Sequence, residues 1–412
     1  GKTEGQDTLQ SAALGNLGNA YVQLGDARRT IGYHEQALSI SREIGDRRVE
    51  GGVLGNLGIA YRQLGDARRA IGFFEQALAI HRWIGNRPGE GADLGNLGAA
   101  YFQLGDARRA IGYHEQALAI HREIGDRRGE GKSLCNLGNA YAQLGDVRRA
   151  IGYFEQALAI HREIGDRPGE GVALGNLGSA YLDLGDARRA IGYYEQALAI
   201  DREIGDRRGE GSDLGNLGNA YAQLGDARRA IGFFEQALAI SRESGDRRVE
   251  GSVLGNLGLA YFNLGDARRA IGYHEQALAI DREIGDRRGE GADLGNLGNA
   301  YADLGDARRA IEFLEQALVI CREIGDRLGE GDNLGNLGIA YADLGDARRA
   351  IEFLEQALDI HREIGDRSGE GSNLGSLGIA YRQLGDARRA IGYLEQALAI
   401  RRETGDLNGI AT

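Results

Sequence analysis

Two stretches carry letters of a phosphate-binding loop, in which backbone amides cradle phosphate and a lysine reaches its outer oxygens. Gly1-Lys2-Thr3 ends like such a loop, but the sequence holds no residues upstream to form it. Gly131-Lys132-Ser133 lacks the glycine required five residues earlier, where Asp126 stands. Neither is complete, so no nucleotide cofactor is expected. His81, His121, His161 and His361 share one column of a 40-residue repeat with Asp201, Asp281 and Cys321. These are metal-ligand types, yet neighbouring helices lie about 8–10 Å apart whereas a zinc ligand lies about 2 Å from its ion. The column is therefore read as polar residues at a helix end, with no shared metal. No nucleophile has a base in its own repeat, and no carboxylate pair recurs beside an apolar pocket. The sequence offers no catalytic constellation.

The strongest recurring polar signal is an asparagine column: Asn16, Asn56, Asn96, Asn136, Asn176, Asn216, Asn256, Asn296 and Asn336, broken only by Ser376. Asparagine is a mediocre helix former, so nine copies in mid-helix need a reason. One reading is structural: an amide ladder between repeats, or recent duplication. The other is a row of groups that both donate and accept hydrogen bonds to a ligand.

The elements that hold this column follow from the repeat. Leu14, Leu54, Leu94, Leu134, Leu174, Leu214, Leu254, Leu294, Leu334 and Leu374 align at a shift of 40 without an insertion. Ten units result, at 6–45, 46–85, 86–125, 126–165, 166–205, 206–245, 246–285, 286–325, 326–365 and 366–405, after a leader at 1–5 and before the start of a further unit at 406–412. Leu214, Leu217, Tyr221 and Leu224 form one helical face, and Ala230, Ile231, Phe234, Ala237, Leu238 and Ile240 a second. Each helix stops at a Gly-Asp pair such as Gly225-Asp226: the glycine takes a left-handed cap and the aspartate caps the next helix. Every unit is thus helix A, a turn, helix B and a turn. Gly215, Gly218 and Gly232 inside the helices cost about 1 kcal/mol each relative to alanine, a cost that close helix contact should offset.

Composition bounds the function. The 61 acidic and 49 basic side chains give a net charge of −12 and are interspersed throughout, which argues against nucleic acid as partner because phosphate binding needs a basic stripe. No apolar run approaches the roughly 18 residues of a membrane span, and the first residues lack the order of a secretory signal. Cys135 and Cys321 occupy different repeat positions, so they are expected as free thiols in a reducing cytoplasm. The basic residues are almost all arginine, lysine occurring only at Lys2 and Lys132, and the 67 glycines add to a bias that points to GC-rich bacterial coding.

Leu217-Gly218, Tyr221, Gly225-Asp226, Ala230, Phe234 and Ala237 carry a pattern of small and large residues that resembles the tetratricopeptide repeat in every unit. The 40-residue length and the Leu-Gly-Asn-Leu-Gly core resemble the longer-helix subtype of spindle-orientation adaptors, kinesin light chain and bacterial signalling proteins with a nucleotide-switch domain. Leu214 stands where the pattern usually has a large aromatic, and Arg242 where it usually has proline. The resemblance implies an all-α, right-handed superhelical solenoid with helix A on its concave side, and a scaffold that binds a peptide segment of a partner protein. The asparagine column would then grip the peptide backbone, while Arg62, Phe102, Lys132, Leu182, Phe262 and Arg382 select its sequence. Asp293, Asp303, Asp332 and Asp343 would make the C-terminal half of the groove acidic. Paired arginines such as Arg228 and Arg229 are expected to be solvated or bonded to acids of adjacent units. The alternatives are a sensor or autoinhibitory arm of a larger bacterial signalling protein, and a self-assembling spacer rod. With no capping helix in the sequence, Tyr393, Leu394, Leu398 and Ile400 at one end and Leu9, Leu14 and Leu17 at the other are expected to face water in part and to favour head-to-tail association.

Overall fold

A computed structural model of the chain describes residues 4–24 and 26–404. The triplet Gly1-Lys2-Thr3 and the expected further unit at 406–412 lie outside the described residues. The chain divides into two compact units, Gly1–Asp206 and Arg207–Thr412. The first holds α1 (Glu4–Gln23), α2 (Ala27–Ile44), α3 (Arg47–Gln63), α4 (Ala67–Trp83), α5 (Arg87–Gln103), α6 (Ala107–Ile124), α7 (Arg127–Gln143), α8 (Val147–Ile164), α9 (Arg167–Asp183) and α10 (Ala187–Ile204). The second holds α11 (Arg207–Gln223), α12 (Ala227–Ser244), α13 (Arg247–Asn263), α14 (Ala267–Ile284), α15 (Arg287–Asp303), α16 (Ala307–Ile324), α17 (Arg327–Asp343), α18 (Ala347–Ile364), α19 (Arg367–Gln383) and α20 (Ala387–Thr404). Odd-numbered helices are the A helices and even-numbered ones the B helices. All described secondary structure is helical, as the repeat pattern requires.

The caps work as the sequence predicts. Gly225 has φ 77°, and the amides of Gly225 and Asp226 donate back to the carbonyls of Ala222 and Tyr221 at 2.9 Å. The Asp226 carboxylate then accepts from the Arg229 amide at 3.1 Å, starting α12. The same device recurs along both units, so each turn is short and fixes the hairpin angle.

Within each hairpin a large side chain of helix B lies over a glycine of helix A. Phe234 is 1% exposed, and a Cβ on Gly218 would overlap its ring. Close contact therefore explains Gly218. It does not explain Gly215 or Gly232, because nothing lies within 4 Å of a Cβ at either. Leu214 and Leu217 are buried, but Leu224, expected on the same apolar face, is 44% exposed at the hairpin tip, beyond the last helical residue of α11.

Each hairpin also carries a stack the sequence reading did not single out. Tyr221 and Phe233 lie parallel with centroids 5.3 Å apart, and the Arg229 guanidinium covers Tyr221 at 5.1 Å from its centroid. Arg229 pairs with Asp226 at 2.8 Å. Its acid is thus the helix cap of its own repeat and not one of an adjacent unit, because the guanidinium folds back over the preceding turn to reach the ring.

Adjacent repeats are joined by a buried carboxylate. Glu250 accepts from Arg242 Nε at 2.9 Å and from Arg247 Nη1 at 2.5 Å. Arg247 Nη2 continues to Glu283 on helix B of its own hairpin at 2.6 Å. Burial alone would push the Glu250 carboxyl up, but the two guanidiniums outweigh it and hold it below the usual carboxylate range. Arg242, where the resemblance leads one to expect proline, is thereby part of the joint. At the last helix Ile400, expected to face water, is buried against Gly371, while Leu394 is 43% exposed.

Candidate functional site

Positions four and three residues apart on helix A fall on one face. In the C-terminal unit this face opens into a row of clefts between successive A helices. Ser252, Asn256 and Leu259 of α13 face Ala292 and Asn296 of α15 across a cleft of about 420 Å³. Ala292, Asn296 and Asn299 face Asp332, Asn333 and Asn336 of α17 across about 400 Å³. Asp332, Asn336 and Ile339 then face Ser372, Asn373 and Ser376 of α19 across about 290 Å³. Asn296 and Asn336 each line two of these clefts, so the three form one trough with the asparagine column along its floor. Gly255, Gly295 and Gly335 lie in that floor. A Cβ on Gly295 would stand 3.0 Å from Asn333 Oδ1, which accounts for glycine at a position that faces no helix B side chain.

The columns are half-buried, with two kinds of amide. Asn56 donates to Asn19 Oδ1 at 3.1 Å, and Asn256 to Asn219 Oδ1 at 3.3 Å, each bond crossing from one repeat to the previous one. The ladder reading therefore holds where a second asparagine stands 37 residues earlier and the two amides meet. Among the described residues Asn96, Asn136, Asn296 and Asn336 make no side-chain hydrogen bond, and the Asn176 amide nitrogen is buried without a partner. Asn16, in the first repeat, is exposed.

Of the residues expected to select a sequence, Phe102, Leu182 and Phe262 are half-buried, while Lys132 and Arg382 are exposed. Arg62 is half-buried with its Nε unpartnered. Arg382 lines an opening of about 720 Å³ beside Leu394 and Leu398. Asp332, Asp303 and Asp343 are exposed. Asp293 is not available to a ligand in the same way: it is buried and accepts from His274 Nδ1 at 2.9 Å.

The polar column at the end of helix B proves to border the same trough. Asp281, Cys321 and His361 lie along its side with the caps Asp286, Asp326 and Asp366. Its members pair with nearby acids. His81 Nδ1 lies 2.6 Å from Asp93 Oδ2, and His361 Nδ1 lies 2.7 Å from Asp366 Oδ2. Burial pushes Asp93 up to about 6 against the pull of His81. Burial and the neighbouring carboxylates of Asp293 and Asp286 push Asp281 up to about 7. Cys135 and Cys321 are buried free thiols; burial pushes the Cys135 thiol up to about 12. The fixed spacing of this column to the Gly-Asp turn, five residues on, was the signal that could have placed it beside the groove.

No helix among the described residues is long and apolar enough to cross a membrane. No curated protein matches the chain. Among solved structures, the signal transduction ATPase with numerous domains and a tetratricopeptide repeat sensor from Pyrococcus horikoshii is 16% identical with a TM-score of 0.63, covering 81% of this chain and 51% of that one. The quorum sensor NprR from B. thuringiensis, in its apo form, is 15% identical with a TM-score of 0.60, covering 88% and 99%. A Rap protein complexed with Competence and Sporulation Factor is 16% identical with a TM-score of 0.58, covering 87% and 99%. These likenesses concern the fold. The profile of the tetratricopeptide repeat matches residues 9–82, 90–163, 132–203, 169–243, 210–283, 249–323, 290–363 and 333–403. Together with the ten hairpins and their Gly-Asp turns, that coverage makes this chain a member of the tetratricopeptide repeat family.

Proposed function

We propose that the chain is a protein-interaction scaffold whose trough binds an extended peptide segment of a partner. The observation that carries the reading is the row of half-buried amides on the trough floor, where Asn296 and Asn336 have neither donor nor acceptor satisfied by another side chain. An extended backbone presents one N–H and one C=O per residue, and a carboxamide can meet both. Phe262 and Arg382 in this unit, and Arg62, Phe102, Lys132 and Leu182 on the A helices of the other, then choose among sequences, since these positions vary from repeat to repeat while the asparagine column breaks only at Ser376. The likeness in fold to a Rap protein complexed with Competence and Sporulation Factor is compatible with this use of the fold.

The test is selection of random displayed peptides on the full chain, followed by titration of a selected peptide against a variant carrying Asn256→Ala, Asn296→Ala and Asn336→Ala. Binding weakened at least tenfold with an almost unchanged melting temperature is expected. Unchanged affinity would remove the asparagines from the site. A second reading, a sensor arm of a larger signalling protein, is favoured by the match to about half of an ATPase that carries a tetratricopeptide repeat sensor. The domain content of the complete gene decides it: an adjoining nucleotide-switch domain supports the arm, and its absence removes it.

A further inference from the structure

One junction departs from the charge pattern that the eight repeats after it keep. In eight successive repeats an arginine opening helix A bonds, through Nη2, a glutamate 36 residues later: Arg87 to Glu123, Arg127 to Glu163, and so on to Arg367 and Glu403. For Arg47 the residue at that distance is Trp83. At one junction the second arginine of the motif is tied as well, Arg128 meeting the cap carboxylate of Asp166 38 residues on, at 3.3 Å. For Arg48 that residue is Asn86, the one cap of its column that is not aspartate. The carboxylate that meets the first arginine in the eight following repeats, and the cap carboxylate that the second can reach, as Arg128 does, are therefore both replaced at a single junction, by residues three apart in sequence.

The consequences are visible in the structure. Arg47 keeps only Glu50, which it shares with Arg42, and Arg48 is exposed with no acid beside it among the described residues. Trp83 is 76% exposed and is the single tryptophan of the chain. Asn86 still caps α5 through the Gly89 amide at 3.2 Å, so the exchange of aspartate for asparagine removes charge and keeps the cap. An exposed indole beside two under-neutralised guanidiniums is the combination enriched at protein interfaces.

We infer that Arg47, Arg48 and Trp83 form a docking patch for an acidic segment of a partner protein. The segment supplies two carboxylates in the Glu-x-x-Asp spacing that the other repeats provide themselves, as in Glu123 and Asp126, and an apolar side chain that covers the indole. Arginine forks favour carboxylates held in such fixed geometry. A nucleic acid strand fits less well, because the net charge of −12 surrounds this short basic patch with acid. The inference does not depend on the trough, since the asparagine column takes no part in it.

Trp83 is its own reporter. The full chain is titrated with a capped peptide that carries Glu-x-x-Asp next to leucine, and with the Gln-x-x-Asn counterpart, following tryptophan emission. A saturable blue shift with the acidic peptide is expected, at least tenfold weaker with the neutral one and weakening with added salt. Asn86→Asp, which keeps the indole and the cap, should weaken binding at least threefold. Trp83→Glu with Asn86→Asp, read by anisotropy of a labelled peptide, should abolish it while the chain stays folded, because both changes restore the pattern of the other repeats. The inference is overturned by equal response to the neutral peptide, or by full affinity in the doubly restored variant. It is also overturned by an equal shift with a single-stranded oligonucleotide, or by a shift that follows protein concentration alone and so reports a second copy of this chain.

Discussion

Gly58 lies so close to Phe74 that a Cβ added to it would stand 2.5 Å from the ring. Phe74 is fully buried, so neither the ring nor helix α3 can yield without disturbing the hairpin. Gly58→Ala should therefore cost about 1–3 kcal/mol, as overpacking of a filled interior does. Gly72 in α4 has nothing within 4 Å of its own added Cβ, and Gly72→Ala should stabilise by up to about 1 kcal/mol through helix propensity alone. Thermal melting of the two variants, with hydrogen exchange of α3 and α4, distinguishes them; shifts of the same sign would refute the assignment.

The buried glutamates of the repeat joints give the fold an acid limit. Each folded carboxyl, such as that of Glu250, is held below the ordinary value of 4.5 by its two arginines. Its contribution is present above that value and is lost as the pH falls through the lower folded one. Glu250→Gln should cost about 1–2 kcal/mol at pH 7, moderated by the half-exposed arginines. The gap between variant and parent should narrow as the pH falls below 4.5. A gap that stays constant with pH would show that packing, and not charge, holds the joint.

Asp281 works in the opposite direction. Its folded carboxyl is raised from 3.8 to about 7, so the fold favours the protonated form, and that contribution is lost as the pH rises through about 7. Asp281→Asn should leave stability unchanged near pH 4 and raise it by about 2 kcal/mol at pH 8, after allowance for solvent screening. Melting curves across that range check the sign, and a variant less stable than the parent at pH 8 would reverse it.

The two kinds of asparagine should separate in the free protein. Asn256 gives a hydrogen bond to Asn219, and Asn256→Ala should cost about 0.5–1 kcal/mol. Asn296 makes no such bond, and Asn296→Ala should stay within about 0.5 kcal/mol of the parent. Equal large losses at both would mark the whole column as structural.

The hairpins, their Gly-Asp turns and the buried partners Leu214, Leu217 and Phe234 were legible because periodicity and caps are local signals repeated ten times. Leu224 was misjudged because helical spacing carries it onto the apolar face, whereas α11 ends at Gln223, one residue before it. Asp293 does line the cleft between α13 and α15, but its column changes chemistry between repeats, and only the fold shows that His274 pairs with it. Gly295 could not be understood from its own hairpin, since the Asn333 amide that limits it stands in the next repeat. The trough itself is a relation between A helices 40 residues apart, whereas helical periodicity reports one helix at a time.

Within each unit a helix touches the helices adjacent in sequence and, for the A helices, the next A helix. Among the described residues of each unit, no helices more than one repeat apart touch. A chain held this way and pulled from its ends has no keystone: it should unravel one hairpin at a time, each releasing up to about 140 Å of contour at roughly 3.5 Å per residue. The force trace would be a sawtooth of nearly equal teeth, and the tooth that breaks early would name the weakest joint.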